Sequence, residues 1–150
     1  MKVKQAMTQQ FITVDKDEKL RKVNEAFQRY HSEFVLVVSR QGELEGIVTY
    51  HELFQKILPS YDEVMQDQSV RLGMERMEEK IEKLVNEPVS SVMVKNVATV
   101  SPDMPIVEAG ALMQAKKISQ MVVVEHGKVV GVLRFRDIMW GFLLKSKEYV

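Results

Sequence analysis

The chain contains side chains that often carry out chemistry, but their spacing does not form a catalytic or metal site. His31, His51 and His126 are far apart, and none stands in a metal-ligand spacing such as H-E-x-x-H. His51 is followed by Glu52, but this dipeptide alone does not define a site. No G-x-S-x-G motif, Walker loop or dinucleotide fingerprint occurs, and the serines and threonines lack a matching base. We therefore predict solvated histidines, no metal site, no catalytic residue and a protein that is not an enzyme.

The elements that position the polar residues occur twice along the chain. The segment FITVDKDEKLRKVNEAF (11–27) returns as VATVSPDMPIVEAGALM (97–113), at an offset of 86 residues. Beyond the valine-rich run that follows, the offset is 85, so the second copy has lost one residue in a turn, where deletions are best tolerated. A duplicated unit of this size predicts one pseudo-symmetric domain with a cleft between its halves.

Two pairs of equivalent glycines occur in the later half of each copy. Gly42 matches Gly127, and Gly46 matches Gly131. We expect all four at strand turns, because glycine adopts turn conformations that other residues avoid. This pattern indicates a conformational role rather than a phosphate-binding loop.

The hydrophobic periodicity changes in the same order in both copies. A helical spacing comes first, carried by Leu20, Val23, Ala26, Phe27 and Tyr30 in one copy and by Ile106, Ala109, Leu112 and Met113 in the other. Asp15 and Glu18 stand at capping-box spacing, and Pro105 suits a first helical turn. The β-branched runs FVLVV and MVVVV predict buried strands, and each leads into a glycine turn, a second strand and a second helix. We predict an α+β fold of two β-α-β-β-α repeats, provided that the short ITV and ATV segments pair as strands.

The segment between the copies has no counterpart elsewhere in the chain. Ser60 and Glu63 offer another capping box, and a helical seam follows, formed by Val70, Met74, Met77, Ile81 and Leu84. This helix either lies on the surface of its own domain or forms an exposed stripe that pairs with a second subunit, where methionine packs adaptably. The predicted division is repeat one at 1–58, a helical linker at 59–86 and repeat two at 87–150.

Composition narrows the class of protein. A chain of 150 residues with 45% hydrophobic content predicts about one ordinary domain. The 21 basic residues balance the 21 acidic residues, so no net charge attracts nucleic acid or an anionic membrane. The chain has no cysteine, and its start has no apolar stretch like that of a signal peptide. We predict a cytoplasmic protein with no nucleic-acid or membrane partner.

The repeated features resemble a known family. Two copies of a unit with "TV…D", an apolar helix, a valine strand and a closing G-x-x-T-x-x-D pattern are similar to a tandem pair of CBS (cystathionine β-synthase) domains, the Bateman module. The resemblance covers almost the whole chain apart from the central helix. It implies a stand-alone regulatory or energy-sensing module that binds an adenosine-containing ligand in the cleft between its repeats. It implies no required cofactor, and leaves the ligand open among AMP, ADP, ATP, S-adenosylmethionine and NAD.

The closing motif of copy two matches the family in part. In the family, the threonine or serine hydroxyl approaches phosphate, and the aspartate accepts hydrogen bonds from the ribose hydroxyls. Copy two reads GVLRFRD, so Asp137 is retained, Arg134 replaces the threonine, and Arg136 adds a second positive group. Arg134 can offer phosphate a bidentate, charge-assisted contact, which makes copy two the favoured site. As in the family, we expect adenine contacts near Thr99, Val100 and Met121.

The closing motif of copy one departs from the family at a different position. Copy one reads GIVTYHE, so Thr49 is retained and Glu52 replaces the aspartate. The glutamate side chain is one methylene longer, so it would push the ribose outward or leave one hydrogen bond unmade. Thr13, Thr49 and Glu52 therefore form the weaker candidate site.

Three interpretations of the whole chain remain, of which the third, an enzyme, requires an unrecognised catalytic constellation in the cleft. In the first, copy two binds the nucleotide and the protein is a sensor. In the second, Arg134 blocks the pocket, Asp137 merely caps the following helix, and the protein is a ligand-free CBS fold that dimerises and binds a partner. In the first two cases we predict a homodimer with an unknown protein effector, because the linker seam and the helix containing Trp140 supply apolar area beyond one small core.

Overall fold

The computed structural model describes residues 1–67 and 73–145, which form two compact units. Unit 1 combines three stretches: Met1–Phe11, Val38–Leu44 and the described part of Asn96–Val150. Unit 2 combines two stretches: Ile12–Val37 and the described part of Glu45–Lys95. The compact units therefore divide the chain differently from the sequence repeats. Within the described residues, no helix combines the length and the apolar character that a membrane span requires.

The sheet of unit 2 has the strand order β1-β2-β3. Its strands are Thr13–Val14 (β1), Phe34–Val38 (β2) and Leu44–Thr49 (β3). The described α-helices are Leu20–Tyr30 (α1), Tyr50–Ile57 (α2), Tyr61–Gln66 (α3) and Met74–Val85 (α4). Strands β1 and β2 run parallel, because α1 provides the crossover connection that parallel neighbours need.

Unit 1 repeats this plan. Its strands are Thr99–Val100 (β4), Gln120–Glu125 (β5) and Lys128–Arg134 (β6), and its helices are Ile106–Lys116 (α5) and Phe135–Lys145 (α6). β4 and β5 are parallel, and β5 and β6 are antiparallel. The predicted α+β fold of two β-α-β-β-α repeats is confirmed, including the pairing of the ITV and ATV segments as short strands.

Each unit has its own hydrophobic core on one face of its sheet. In unit 1, alternate strand residues enter the core together: Val100, Met121, Val123 and Leu133. The equivalent residues do so in unit 2: Val14, Val35, Val37 and Val48. Because successive residues of a strand point to opposite faces, the positions between these valines and leucines point away from the core.

The first residues of the chain are fixed to unit 1 by backbone hydrogen bonds. The N–H and C=O of Thr8 both bond to Val132, at 2.9 Å each, and Lys2 forms a bridge with Pro105. Val3 is fully buried in the core of this unit. The equivalent bridges in unit 2 are Lys19 with Pro88 and Ile47 with Val94. The first residues of repeat one therefore belong to unit 1, which contains the sheet of repeat two. The first residues of repeat two belong to unit 2, which contains the sheet of repeat one.

The four glycines have two roles instead of the single turn role expected. Gly42 and Gly127 have φ angles of +84° and +77° and lie in turns, as predicted. Gly46 and Gly131 lie inside β3 and β6, so the turn prediction is wrong for them. A Cβ atom on Gly131 would lie 2.9 Å from the backbone oxygen of Thr8, and Gly46 is equally close to a backbone oxygen in unit 2. These two strands need glycine because another chain segment lies against them.

Two helix starts differ from the sequence expectation. Glu18 does accept the N–H of Asp15, at 3.1 Å, but α1 begins at Leu20, so this pair closes the turn before the helix. Pro105 precedes α5 with a ψ angle of 137° and is not in its first turn. In both cases the first N–H of the helix has a tertiary partner: Leu20 donates to the C=O of Glu87 and Ile106 to the C=O of Met1, each at 2.9 Å, so neither helix needs a side-chain cap there.

The capping box that the sequence predicts in the linker is present. The N–H of Ser60 donates to the Glu63 carboxylate at 2.9 Å, and the N–H of Glu63 donates to the Ser60 hydroxyl at 3.2 Å. This reciprocal pair is a capping box at the start of α3.

The linker seam lies partly on its own unit. Leu84 is buried in the core of unit 2, and half-buried Met77 lines a cavity of about 310 Å³ in the same unit. Ile81 is exposed. Val70 lies outside the described residues, and so does the side chain of Met74. Among the described seam residues, the packing favours a connecting helix on its own domain over a stripe reserved for a second subunit.

Candidate functional site

The register of the unit 1 sheet places five residues on one face. Thr99 pairs with Val122 across β4 and β5, and Gln120 pairs with Arg134 across β5 and β6. Val132 pairs with Val122. Because paired residues project to the same side, and alternate residues of a strand do as well, these five residues share the face opposite the core. We call this the site face.

Val100 and Met121 lie on the core face. Their exposed fractions are 4% and 1%, and both are part of the hydrophobic core of unit 1. Since their side chains are enclosed, these positions can offer a ligand only backbone N–H and C=O groups. Val122 and Val132 share a face with Arg134, and their side chains are equally buried, at 2% and 1% exposure.

The closing motif of copy two is a turn from strand to helix. β6 ends at Arg134 and α6 begins at Phe135, so Asp137 is the third residue of the helix and not its N-cap. Its Oδ2 accepts the backbone N–H of Arg134 at 2.8 Å. This bond fixes the carboxylate through one oxygen, and the helix N-terminus favours its negative charge. Asp137 therefore helps to close the helix start, and it does so in a fixed orientation.

A second hydrogen bond ties this turn to the neighbouring strand. The N–H of Phe135 donates to the C=O of Ser119 at 2.8 Å, directly before β5 begins. The start of β5, the end of β6 and the start of α6 are thereby held together. Arg134 and Asp137 are half-buried, whereas Arg136 is exposed. The turn therefore presents a fixed carboxylate with two guanidinium groups nearby in sequence.

Thr99 lies at the opposite edge of the site face. It is exposed on β4, which is separated from β6 by β5. Two strand spacings place its backbone about 10 Å from that of β6. A ligand that contacts both Thr99 and Arg134 would have to extend across β5, where Val122 is only 2% exposed.

The closing motif of copy one is occupied by its own contacts. The N–H of Thr49 donates to Glu52 Oε2 at 2.7 Å, and the Thr49 hydroxyl donates to the same oxygen. The hydroxyl also accepts the N–H of His51 at 3.2 Å. These bonds form a capping box at the start of α2. The hydroxyl that approaches phosphate in the family is therefore engaged by the helix start in this repeat.

The remaining sequence candidates lie apart from these turns. Thr13 is exposed on β1 and lines a cavity of about 640 Å³ together with Lys22 and Arg29 of α1. The three histidines are exposed, as predicted: His31, His51 and His126. Among residues 1–67 and 73–145, no three histidine, aspartate or glutamate side chains are close enough to hold a metal ion.

Sequence reasoning missed Gln120, Val122 and Val132, which lie on the site face. Alternation along β6 alone puts Val132 on the face of Arg134, but it does not say which residues of β4 and β5 share that face. That choice depends on pairing Gln120 with Arg134 and Thr99 with Val122.

Comparison with known proteins identifies relatives along the whole chain. The CBS domain family matches residues 3–59 and 89–142. A CBS domain-containing protein of Dictyostelium discoideum is 27% identical over 155 residues, which cover 99% of this chain and 94% of that protein.

Solved structures share the fold. CBSX2, solved in complex with AMP, has a TM-score of 0.75 and 18% identity, with 97% of this chain and 98% of that chain covered. The CBS domain pair of the protein MJ0100, solved with 5′-methylthioadenosine and S-adenosyl-L-methionine, has a TM-score of 0.68 and 19% identity, with 97% and 98% covered. At these identities the likeness shows the fold alone. Because the family matches both repeats, this chain belongs to the CBS domain family, as a tandem pair of CBS domains.

Proposed function

We propose that this protein is a regulatory module that binds an adenosine-containing ligand at the closing turn of copy two, in unit 1. The observation that carries the proposal is the half-buried Asp137 carboxylate, which the N–H of Arg134 holds at 2.8 Å. A carboxylate that binds two adjacent hydroxyls must be placed accurately, because hydrogen bonds weaken steeply when they are misaligned. Asp137 is held in place before any ligand arrives.

The known ligands of related folds support an adenosine compound. CBSX2 was solved with AMP, and the MJ0100 pair with 5′-methylthioadenosine and S-adenosyl-L-methionine. These ligands share an adenosine with a ribose diol, which is the group that Asp137 would bind. AMP, ADP, ATP and S-adenosylmethionine are therefore the candidates for this chain.

The polar groups of unit 1 suit the parts of a nucleotide. Asp137 accepts hydrogen bonds from the ribose hydroxyls, while Arg134 and Arg136 bind phosphate through charge-assisted contacts. The base lies at the exposed edge of the site face, because Val122 and Val132 at its centre are buried. Val100 and Met121 can approach the base only through their backbones, because both side chains lie in the core.

Copy one is the weaker site in this proposal. Its Thr49 hydroxyl donates to Glu52 and accepts from the N–H of His51, so a phosphate would have to displace contacts that close α2. Ligand binding there therefore costs a helix cap, which contributes about 1 kcal/mol. Thr13 could add a contact only from β1, two strands away from β3.

The wider role follows from the family and the sequence. We propose a cytoplasmic energy sensor that performs no catalysis and passes its ligand state to a protein effector. The ligand is regulatory and no cofactor is required. The competing proposal, a ligand-free CBS fold that dimerises and binds a partner, is distinguished by nucleotide titration.

Arg134→Ala should weaken AMP binding by about 10- to 100-fold and leave adenosine binding nearly unchanged. A charge-assisted contact to phosphate contributes about 1.5–3 kcal/mol, and adenosine has no phosphate. Isothermal titration calorimetry with both ligands measures the difference. Equal losses for AMP and adenosine would remove Arg134 from the phosphate. If the wild-type protein binds no adenosine compound, the ligand-free interaction protein is the better description.

We also propose a homodimer that packs through the last helix of each repeat. Helix α6 leaves large apolar side chains exposed, with Trp140 at 70%: Phe135, Met139, Trp140, Phe142 and Leu143. In copy one, the residues equivalent to three of these are also exposed, on helix α2 and at the residue after it: Tyr50, Phe54 and Leu58. Apolar surface at equivalent positions, outside both cores, suits a protein interface. A second copy presents the same two stripes, so a twofold dimer can cover them.

Met139→Glu and Phe54→Glu, at equivalent positions of the two helices, should each raise the dimer dissociation constant at least about tenfold. A charge in an apolar interface must lose its water without gaining a partner. Sedimentation equilibrium measures the change. Val107→Glu, on the exposed face of α5, is the matched control and should leave the dimer intact. A wild-type protein that is monomeric at micromolar concentration would end the dimer proposal.

A further inference from the structure

One polar side chain on the site face has no evident role in the fold. Gln120 is half-buried at the start of β5, and its amide makes no hydrogen bond to the residues that the structure describes. No buried side-chain nitrogen or oxygen in that part of the chain lacks a partner, so the Gln120 amide reaches the surface. A half-buried amide that is neither bonded nor enclosed is available to a ligand.

The position of Gln120 places this amide beside the proposed nucleotide. Gln120 is the direct cross-strand partner of Arg134, so their Cβ atoms are about 5 Å apart on the site face. The residue before it, Ser119, accepts the N–H of Phe135, which ties Gln120 to the turn that holds Asp137. Both Gln120 and Arg134 have long side chains, so they can reach different parts of one nucleotide.

Copy one has an apolar residue at the equivalent position. Phe34 begins β2 and is 3% exposed, so it is buried as the start of an interior strand usually is. The fold therefore accepts an apolar residue at this position, and the glutamine of copy two is not required by the strand. The two copies also differ in their closing turns. The copy that has the glutamine is the copy whose closing turn is the favoured site.

We propose that Gln120 reads the base of the ligand and selects adenine. Its Oε1 accepts a hydrogen bond from the 6-amino group, and its Nε2 donates one to the neighbouring ring nitrogen, the bidentate pairing that suits glutamine and adenine. This inference rests on the proposed function, since it concerns the same site. It adds a side-chain contact to the base where the rest of the site supplies backbone groups.

The test compares AMP with purine riboside 5′-monophosphate, which lacks only the 6-amino group. We expect the wild-type protein to bind AMP about ten times more tightly, and Gln120→Met to bind the two ligands equally. Methionine has nearly the same length as glutamine but cannot make these hydrogen bonds. Gln120→Leu is a second variant in case the methionine variant does not fold. Gln114→Met, on the exposed face of α5, is the control and should keep the tenfold preference.

The outcomes separate this inference from the proposed function. If Gln120→Met and Gln120→Leu retain the preference for AMP, or if the wild-type protein has none, Gln120 does not read the amino group, while the adenosine site stands. If no adenosine compound binds to the wild-type protein, both the site and the inference fail. Loss of the preference in both variants but not in Gln114→Met supports the inference.

Discussion

Asp137→Ala should lower the affinity for AMP by about 100-fold or more, because two charge-assisted hydrogen bonds to the ribose hydroxyls are lost together. In the native protein the carboxylate is already oriented by the N–H of Arg134 at 2.8 Å, so the ribose meets a fixed acceptor. Adenosine should lose the same factor as AMP, since both contain the diol. Isothermal titration calorimetry with the two ligands measures these losses.

Two controls separate ligand binding from the helix start. Asp137→Asn keeps an oxygen that can accept the N–H of Arg134, so α6 should begin normally. It should still lose most of the affinity, because the amide is uncharged and brings a donor where the diol also donates. Glu52→Ala, at the equivalent position of unit 2, should change AMP affinity little. The proposal is contradicted if Glu52→Ala costs as much affinity as Asp137→Ala, or if Asp137→Asn binds AMP like the native protein.

Much of the fold follows from local sequence. The periods of the apolar residues predicted the strands and helices, and the structure confirms them in both repeats. The capping box of Ser60 and Glu63 was also predictable, because both partners lie within four residues. The helix start at Leu20 was not, because its N–H is satisfied by Glu87, far along the chain. Local patterns therefore predict elements well, and fail where a distant segment replaces a local contact.

The same limit applies to the candidate site. The sequence showed that copy two retains the aspartate as Asp137 and that copy one has the longer glutamate, Glu52, in its place. Both facts are residue identities. It could not show that Val100 and Met121 are enclosed in the core while Gln120 shares a face with Arg134. That separation depends on the pairing of Thr99 with Val122 and of Gln120 with Arg134, and each of these pairs joins residues more than ten positions apart. A shift of one residue in this pairing would exchange the two faces.

Gly131→Ala should destabilise the protein by about 2 kcal/mol, and Gly46→Ala by a similar amount, which corresponds to a fall in Tm of roughly 4–8 °C. A Cβ on Gly131 would lie 2.9 Å from the backbone oxygen of Thr8. That oxygen accepts the N–H of Val132 at 2.9 Å, so it cannot retreat without lengthening the hydrogen bond. Thermal and urea unfolding, followed by circular dichroism, measure the loss.

Gly110→Ala is the matched control for these two variants. Its Cβ would meet only the Cδ1 atom of Ile138, at 3.8 Å, which is an ordinary contact. Gly110 lies inside α5, where alanine is favoured over glycine by about 1 kcal/mol, so this variant should gain stability. The same substitution should therefore have opposite signs in the helix and in the two strands. A gain of stability in Gly131→Ala or Gly46→Ala would show that the start of each repeat does not lie against the strand as described, since only that contact excludes a methyl group.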